Sequence, residues 1–371
     1  MIDTQIKYFT ENTGGITQCI GIIGKLITLL DQVLVNGFNN NTIISFTIDT
    51  NIGTILTNTI HNYHLNDVIK IEGANEAELN GEFRVVEVPN NTQFKISIDT
   101  IETVATGTLT CKIASLGWTK EYSDTNKAVY RSPSGTRRFL RVEHLSAYYG
   151  KINGYDTMTN VDTGTGETAS YYWKISDNTT SERPFKIVGC ERSFYFLCSW
   201  NGDTTIRHNG GGFGEFISLR NGDIMNTFII GSTATAPTTV YNNQSFTYIN
   251  GSANTTGHQV LGILPDNPTP TLFYKQSTPS GQMGYGTDVT LFNYADNGIH
   301  LFPLNIIESS IFRGQLPGIF VPFENINNFF ANGDRTVIID GNEFIAVRIY
   351  CNNGSGACWF STKPEHWGLT S

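Results

Sequence analysis

Long apolar runs are missing from this chain. No stretch reaches the ~18 residues that a membrane-spanning helix needs, so no membrane segment is expected. Charge is scarce as well, since Asp, Glu, Lys and Arg make up only 15% of the 371 residues. Helix-rich enzymes carry many Glu and Lys on exposed faces, so the scarcity argues against that class. It argues equally against disorder, which needs high charge and low hydrophobicity. The charge that is present leans acidic, a formal −9 at pH 7. That balance disfavours a dedicated nucleic-acid binder, and no nucleic acid is expected as a partner.

Catalytic signatures are missing too. There is no Gly-x-Ser-x-Gly elbow and no HExxH helix. The many carboxylates form no recognisable pair of the glycosidase kind, and the repeating texture of a β-helix depolymerase is absent. No catalytic, cofactor-binding or metal-ligating residue is assigned, and the chain is read as a non-enzyme. The six cysteines, at 19, 111, 190, 198, 351 and 358, show neither a CxxC pair nor zinc spacing. Most sit in apolar runs, where a free thiol behaves as a small buried hydrophobe. Cys351 and Cys358 flank Asn-Asn-Gly-Ser-Gly-Ala and could meet across a hairpin, as a disulfide or as free thiols.

Glycine, threonine and asparagine take the place of charge, with 37 glycines beside 12% aromatic residues. Polar turn residues bracket short aromatic and β-branched runs, the texture of strands and tight turns. The fold is expected to be mainly β, and the length suits about two domains with sizeable cores.

Residues 1–15 are polar and read as an arm or early strand. Residues 17–37 are the one expected helix, with Thr17 as N-cap and Gly37 as the terminating glycine. Ile20, Ile23, Ile27, Leu30 and Leu34 recur at helical spacing, and Ile22, Leu26, Leu29 and Val33 widen the stripe. Lys25, Thr28, Asp31 and Gln32 form a narrow polar side, while Gly21 and Gly24 weaken the first turns. With one lysine on that side, the helix is read as packed on a sheet, not lying on a membrane.

From residue 39 to 112 apolar and polar residues alternate between regular turn breaks. Phe94, Ile96 and Ile98 fall on one face, and residues 105–109 read as the closing strand. A small β-barrel or Ig-like module is expected here, inserted between two parts of the main domain. His61 and His64 lie near Asp67, but no further ligand stands at metal-site spacing. His64 is read as a turn residue whose ring bonds to backbone.

Residues 113–230 are expected to form a sandwich-like main β domain, with residues 1–38 contributing its arm and helix. The aromatic runs at 171–175 and 194–197 read as core strands. Arg131, Arg137, Arg138 and Arg141 suggest either a phosphate or acidic-partner patch or, the favoured reading, ordinary positions, with Arg137 and Arg138 flanking a Ser-Pro-Ser-Gly turn and Arg141 on one strand face. Residues 162–167 faintly resemble a calcium loop but lack its alternating acids, and read as a solvated turn. The glycine-rich run 209–215 lacks the Gly-Lys-Ser/Thr ending of a phosphate cradle. It reads as a mobile loop at a sheet edge or subunit contact. Residues 231–371 are expected to be a β-rich region with long loops, ending in a hairpin at 336–350 and a last strand at 357–361.

Several of these segments carry a resemblance. Trp118-Thr119-Lys120 with Asn126-Lys127-Ala128-Val129-Tyr130-Arg131 is one, and Phe139-Leu140-Arg141-Val142-Glu143 is another. Gly154-Tyr155 with Met158-Thr159, Arg183-Pro184 with its following strand, and Arg313-Gly314-Gln315-Leu316-Pro317-Gly318 complete the set. Over roughly two thirds of its length the chain resembles tailed-bacteriophage virion structural proteins of neck, collar, tail or baseplate type. Asp124 and Phe185 stand where a Gly and a Trp are expected. The His-Leu…Asp-Val-Ile…Asn-Gly-x-Phe-x-Val pattern within 39–112 resembles a small β-module that recurs as an insertion in phage tail proteins.

The resemblance implies assembly without catalysis. Its expected partners are further copies of the chain in a symmetric ring, and other virion proteins such as the tail tube, sheath, neck or baseplate. It places the protein in the virion, assembled in the bacterial host cytoplasm. A host-receptor or glycan-binding module on the virion surface is the alternative reading, and a polysaccharide-degrading tail enzyme the third.

Overall fold

A strand that is buried at every position, not every second one, is covered on both faces. Two successive strands here have that character. Phe185–Gly189 and Ser193–Cys198 are buried at every residue. They sit inside a five-stranded antiparallel sheet with Lys7–Thr10 at one edge, then Asn209–Glu215 and Thr227–Ile230 on the other side. This central sheet is the middle layer of the molecule. The computed structural model describes residues 3–176, 179–199, 209–223, 226–231, 260–264, 267–276, 301–308, 311–322, 335–339, 342–351 and 354–369. Strands account for 54% and helices for 8%, so the chain is mainly β as expected.

One face of the central sheet meets an outer five-stranded sheet built from Tyr171–Lys174, Tyr149–Tyr155, Phe139–Glu143, Lys127–Arg131 and Thr119–Asp124. Trp173 and Trp118 project from the outer layer onto Phe194, with ring centroids 5.7 and 5.4 Å apart in edge-to-face geometry. This pair of sheets is the expected sandwich. The opposite face of the central sheet carries Val188, Tyr195, Leu197, Phe228 and Ile230 into a second core with Leu304, Ile319, Val347 and Phe360. Those residues belong to an eight-stranded C-terminal sheet. The β-rich C-terminal part is therefore a third layer of the same stack.

Run 209–215 corrects the sequence reading. It is a strand inside the central sheet, hydrogen-bonded on both sides, and not an edge loop. Its glycines sit where aromatic rings from the outer sheet and from the adjacent strands of its own sheet fill the space. A Cβ at Gly211 would lie 1.8 Å from Trp173 Nε1, and one at Gly212 would lie 2.8 Å from the Tyr195 ring.

The helix is shorter than its apolar spacing predicts. It runs Lys25–Leu30 and continues as one wider turn over Asp31–Asn36, closed by the Gly37 N–H donating to Gln32 O at 2.9 Å. Gly37 ends it as expected, at φ 67°. Thr17 is not its cap. Cys19 instead bridges to Arg183 as extended backbone, and Gly24, at φ 88°, starts the first turn. Leu26, Leu29, Leu30, Val33 and Leu34 are buried, but Ile22 and Ile23, ahead of the helix, are exposed. Tyr130 seats the helix on the outer sheet by donating to Ile27 O and Asp31 Oδ1.

A distant ring does the capping. His144 Nδ1 accepts the N–H groups of Gly24 at 3.0 Å and Leu26 at 3.2 Å, and the ring is fully buried. Burial pushes its pKa down to about 4, against a smaller opposing pull from the Ser146 backbone. The unfolded value is 6.5, so between these two pH values the folded state binds fewer protons than the unfolded one. Stability from this group is complete above pH 6.5 and falls as pH drops toward 4. Relative to His144→Gln, the native chain is expected to lose roughly 2–3 kcal/mol between pH 7 and pH 4. Urea denaturation of both proteins at the two pH values checks this, and a pH-independent difference would refute it.

The chain leaves the helix into a closed barrel. Its strands run around the ring as Phe38–Asp49, Ile52–Thr57, Gln93–Ser97, Gly81–Asn90, Val68–Ala74 and Gly107–Ile113. The module is thus a barrel, not an Ig-like sandwich. Phe46, Ile55, Ile69, Val85, Phe94 and Ile96 fill it, all fully buried. Lys7–Thr10, which precede the barrel, pair with Phe185–Gly189, which follow it.

Candidate functional site

The sequence offered several polar clusters, and the structure turns most of them inward. His61 is buried; its Nδ1 accepts the Tyr63 N–H at 2.9 Å and its Nε2 faces Asn90 O at 3.2 Å. The ring that bonds to backbone is therefore His61, whereas the His64 ring is exposed. Asp67 accepts the His64 N–H at 2.7 Å, closing the turn. Among the described residues no group of three or more His, Cys, Asp or Glu is placed to hold a metal ion.

The arginines also disperse into internal contacts. Arg141 pairs with Glu143 and Asp162 at 3.0 and 2.7 Å, and Arg138 with Asp156 at 2.7 Å. Arg131 lies over the Phe139 ring, 4.6 Å from its centroid. Asp162, in the loop that faintly suggested calcium, is taken by Lys127 and Arg141 within the Thr157–Asn160 and Thr163–Thr165 hairpin. Cys358 is buried opposite Val347, while Cys351 pairs in register with Gly354. The hairpin register does not bring the two cysteines together. The sequence stretches at 232–259 and 277–300 lie outside the described residues.

Among the described residues a larger concave site is built by three remote parts of the chain. A cleft of about 330 Å³ opens where the N-terminal strand, the barrel and the C-terminal sheet meet. Arg84, on the outer side of a barrel strand, ties the first two together. Its Nε donates to Asp3 O at 2.8 Å, its Nη1 to Asn66 O at 2.8 Å and its Nη2 to Ile6 O at 2.9 Å. Lys7 adds a second tie, donating to Ser115 O at 2.7 Å and pairing with Glu82 at 2.8 Å. Glu343 and Ile345 of the C-terminal sheet form the far wall, with Thr362 bonded to the Glu343 carbonyl.

The cleft is electrostatically one-sided. Asp3, Glu343 and Asp67 surround Arg84, and their field opposes the lowering of its pKa by burial. The guanidinium meanwhile spends donors on three main-chain carbonyls. Burial raises the Asp67 pKa to about 6, with the His64 backbone and ring and then Arg84 pulling it back. Its unfolded value is 3.8, so the folded state takes up a proton more readily. The ionised form is destabilising above pH 6, and the burden lifts as pH falls toward 3.8. Asp67→Asn is expected to be more stabilising, relative to the native chain, at pH 7 than at pH 4 by roughly 2 kcal/mol. Denaturation midpoints of both proteins at the two pH values decide it.

Sequence reasoning found Asp67 but not the cleft. Arg84 follows an alternating pattern that marks it as outward-facing on a strand, and nothing local tells which remote backbone it will reach. No protein-family model matches the chain, and no curated protein matches it. Among the described residues, no helix is long and apolar enough to cross a membrane.

Proposed function

We propose that this chain is a structural component of a tailed-phage virion, of neck, collar, tail or baseplate type. It acts by associating with itself in a symmetric ring and docking on other virion proteins. One observation supports the reading: the segments at 126–131, 139–143 and 154–155 pair as neighbouring strands, and those at 118 and 313–318 pack on the central sheet that follows Arg183-Pro184. Trp118 packs on Phe194, and its Nε1 donates to Cys190 O at 3.2 Å. Arg131 stands opposite Phe139 in register, and Leu140 opposite Gly154. Tyr195 donates from its hydroxyl to Pro317 O at 2.8 Å, joining the late signature to the sandwich. A set of motifs that specifies one shared scaffold is expected to cluster in this way. Scattered chance matches are not.

A rigid stack of sheets suits work done through surfaces, with contacts between unlike patches closing a ring. Residue-resolution imaging of the intact particle that contains this chain tests the proposal. A ring at the head–tail junction or around the tail end is the expected result. Placement on peripheral fibres would transfer the assignment to host recognition, and absence from the particle would overturn it. Release of reducing sugar ends from host polysaccharide by the purified protein would overturn the non-enzymatic part.

A further inference from the structure

The cleft between arm, barrel and C-terminal sheet has a composition that selects its occupant. Its apolar surface comes from Ile6, Leu65 and Ile345 with the Tyr8 ring, and its charge from Asp3, Asp67 and Glu343 against Arg84. Ile6 and Ile345 are buried, whereas Leu65 stands 60% exposed at the rim. Arg84 does not reverse the sign, because three carboxylates act on one guanidinium, three of whose five donors already bond to main chain. An anion is repelled here. A bare metal ion is not matched either, since the acids are not placed as a group of three ligands.

We propose that the cleft is a socket for a lysine side chain presented by an exposed segment of a partner protein. The ammonium sits between the Asp67 and Glu343 walls, and the four-carbon stem lies along Ile6, Leu65 and Ile345. A long stem with a charged tip is the side-chain form that covers apolar surface while keeping its head in a polar setting. Lysine fits better than arginine for a geometric reason. Asp67 already gives Oδ2 to the His64 N–H, so it does not offer the coplanar pair of free oxygens that a guanidinium fork uses. An ammonium carries three donors that rotate to whatever oxygens are present. Three separate parts of the chain form the walls, so an inserted lysine would also brace arm, barrel and C-terminal sheet against one another. The inference goes beyond the virion reading and does not depend on it.

The test uses the full chain with isotope-labelled isoleucine and leucine methyl groups, and blocked single amino acids as probes. Nα-acetyl-lysine N-methylamide is expected to shift the Ile6, Leu65 and Ile345 methyl resonances saturably, in the millimolar range typical of a single side chain. The norleucine analogue has the same stem without the ammonium. It is expected to bind roughly five- to tenfold more weakly, the weight of one charge-assisted contact. Glu343→Gln, which keeps size and shape, is expected to weaken the lysine probe by a similar factor. Equal responses to lysine and norleucine overturn the proposal, as does the absence of any saturable shift at these methyl groups. Tighter binding of the arginine analogue overturns the choice of lysine.

Discussion

Gly211→Ala is expected to cost about 4 kcal/mol, although it adds a single methyl group. Overpacking a filled core typically costs ~1–3 kcal/mol, and this site has a second penalty. The new Cβ would lie 1.8 Å from Trp173 Nε1 and 2.6 Å from Ile230 O. Those two atoms are partners in a hydrogen bond of 2.8 Å that crosses between the outer and central sheets. The methyl group therefore displaces the ring and breaks the bond together. A buried donor or acceptor left unpaired adds about 1–3 kcal/mol. Relief on the opposite face is blocked, because the neighbouring Gly212 is already against Tyr195 and Phe228. Chemical denaturation gives the loss directly. In a Trp173→Phe background the ring no longer reaches as far, so the cost of Gly211→Ala should shrink by more than about 1 kcal/mol, as expected for residues in contact. Additive effects of the two changes would show that the indole is not what excludes a side chain there.

The same strand explains which parts of the fold are legible in the sequence. Alternation reports burial only where one face of a strand meets a core and the other meets water. The barrel satisfies that condition, so Phe94, Ile96 and Ile98 read correctly as one buried face. The central sheet does not, being covered on both sides. Its aromatic strands remain visible as solid apolar runs. Their neighbour at 209–215 is visible only as glycine, because bulky rings from the outer sheet and from the strands beside it occupy the volume its own side chains would need. A run that looks like a loop is thus the complement of Trp173 and Tyr195. The helix start fails for another reason. Ile20 and Ile23 keep the helical spacing, but pairing of Cys19 with Arg183 holds that segment extended. The cap comes from His144, too distant in sequence for any local pattern to indicate.

The cleft shows the limit of local reading more sharply. Asp3, Arg84 and Glu343 come from the arm, a barrel strand and the C-terminal sheet, and each is unremarkable among its sequence neighbours. What could be read was the character of each strand: outward Arg84 on the barrel, and the register of the last hairpin. Which outward faces meet depends on how barrel and C-terminal sheet stack on the arm, and periodicity carries no such information.

Asp223→Ala is expected to destabilise the protein by about 3–5 kcal/mol, the range for stripping one partner from a buried ion pair. Arg313 opens the run Arg313-Gly314-Gln315-Leu316-Pro317-Gly318 and has a fully buried side chain. Its Nη1 is 2.6 Å from Asp223 Oδ2, and the aspartate itself is only 4% exposed. Ser218 Oγ also donates to that oxygen, at 2.5 Å, and the guanidinium stacks over Phe216 at 5.6 Å. The pair thereby links the segment after the glycine strand to the C-terminal sheet, beside the Ile217–Gln315 pairing. Gly314 is required for that approach, since a Cβ there would lie 2.3 Å from Ile217 O. Removing the carboxylate leaves a guanidinium that can neither lose its proton nor reach water. Removing both charges has a different outcome, because the desolvation penalty disappears with the arginine. The double variant Asp223→Leu with Arg313→Met should therefore recover more than half of the stability lost in Asp223→Ala. If instead it is no more stable than Asp223→Ala, the pair acts through geometry that apolar side chains cannot supply. The pair would then serve to specify the sheet junction more than to avoid a stranded charge.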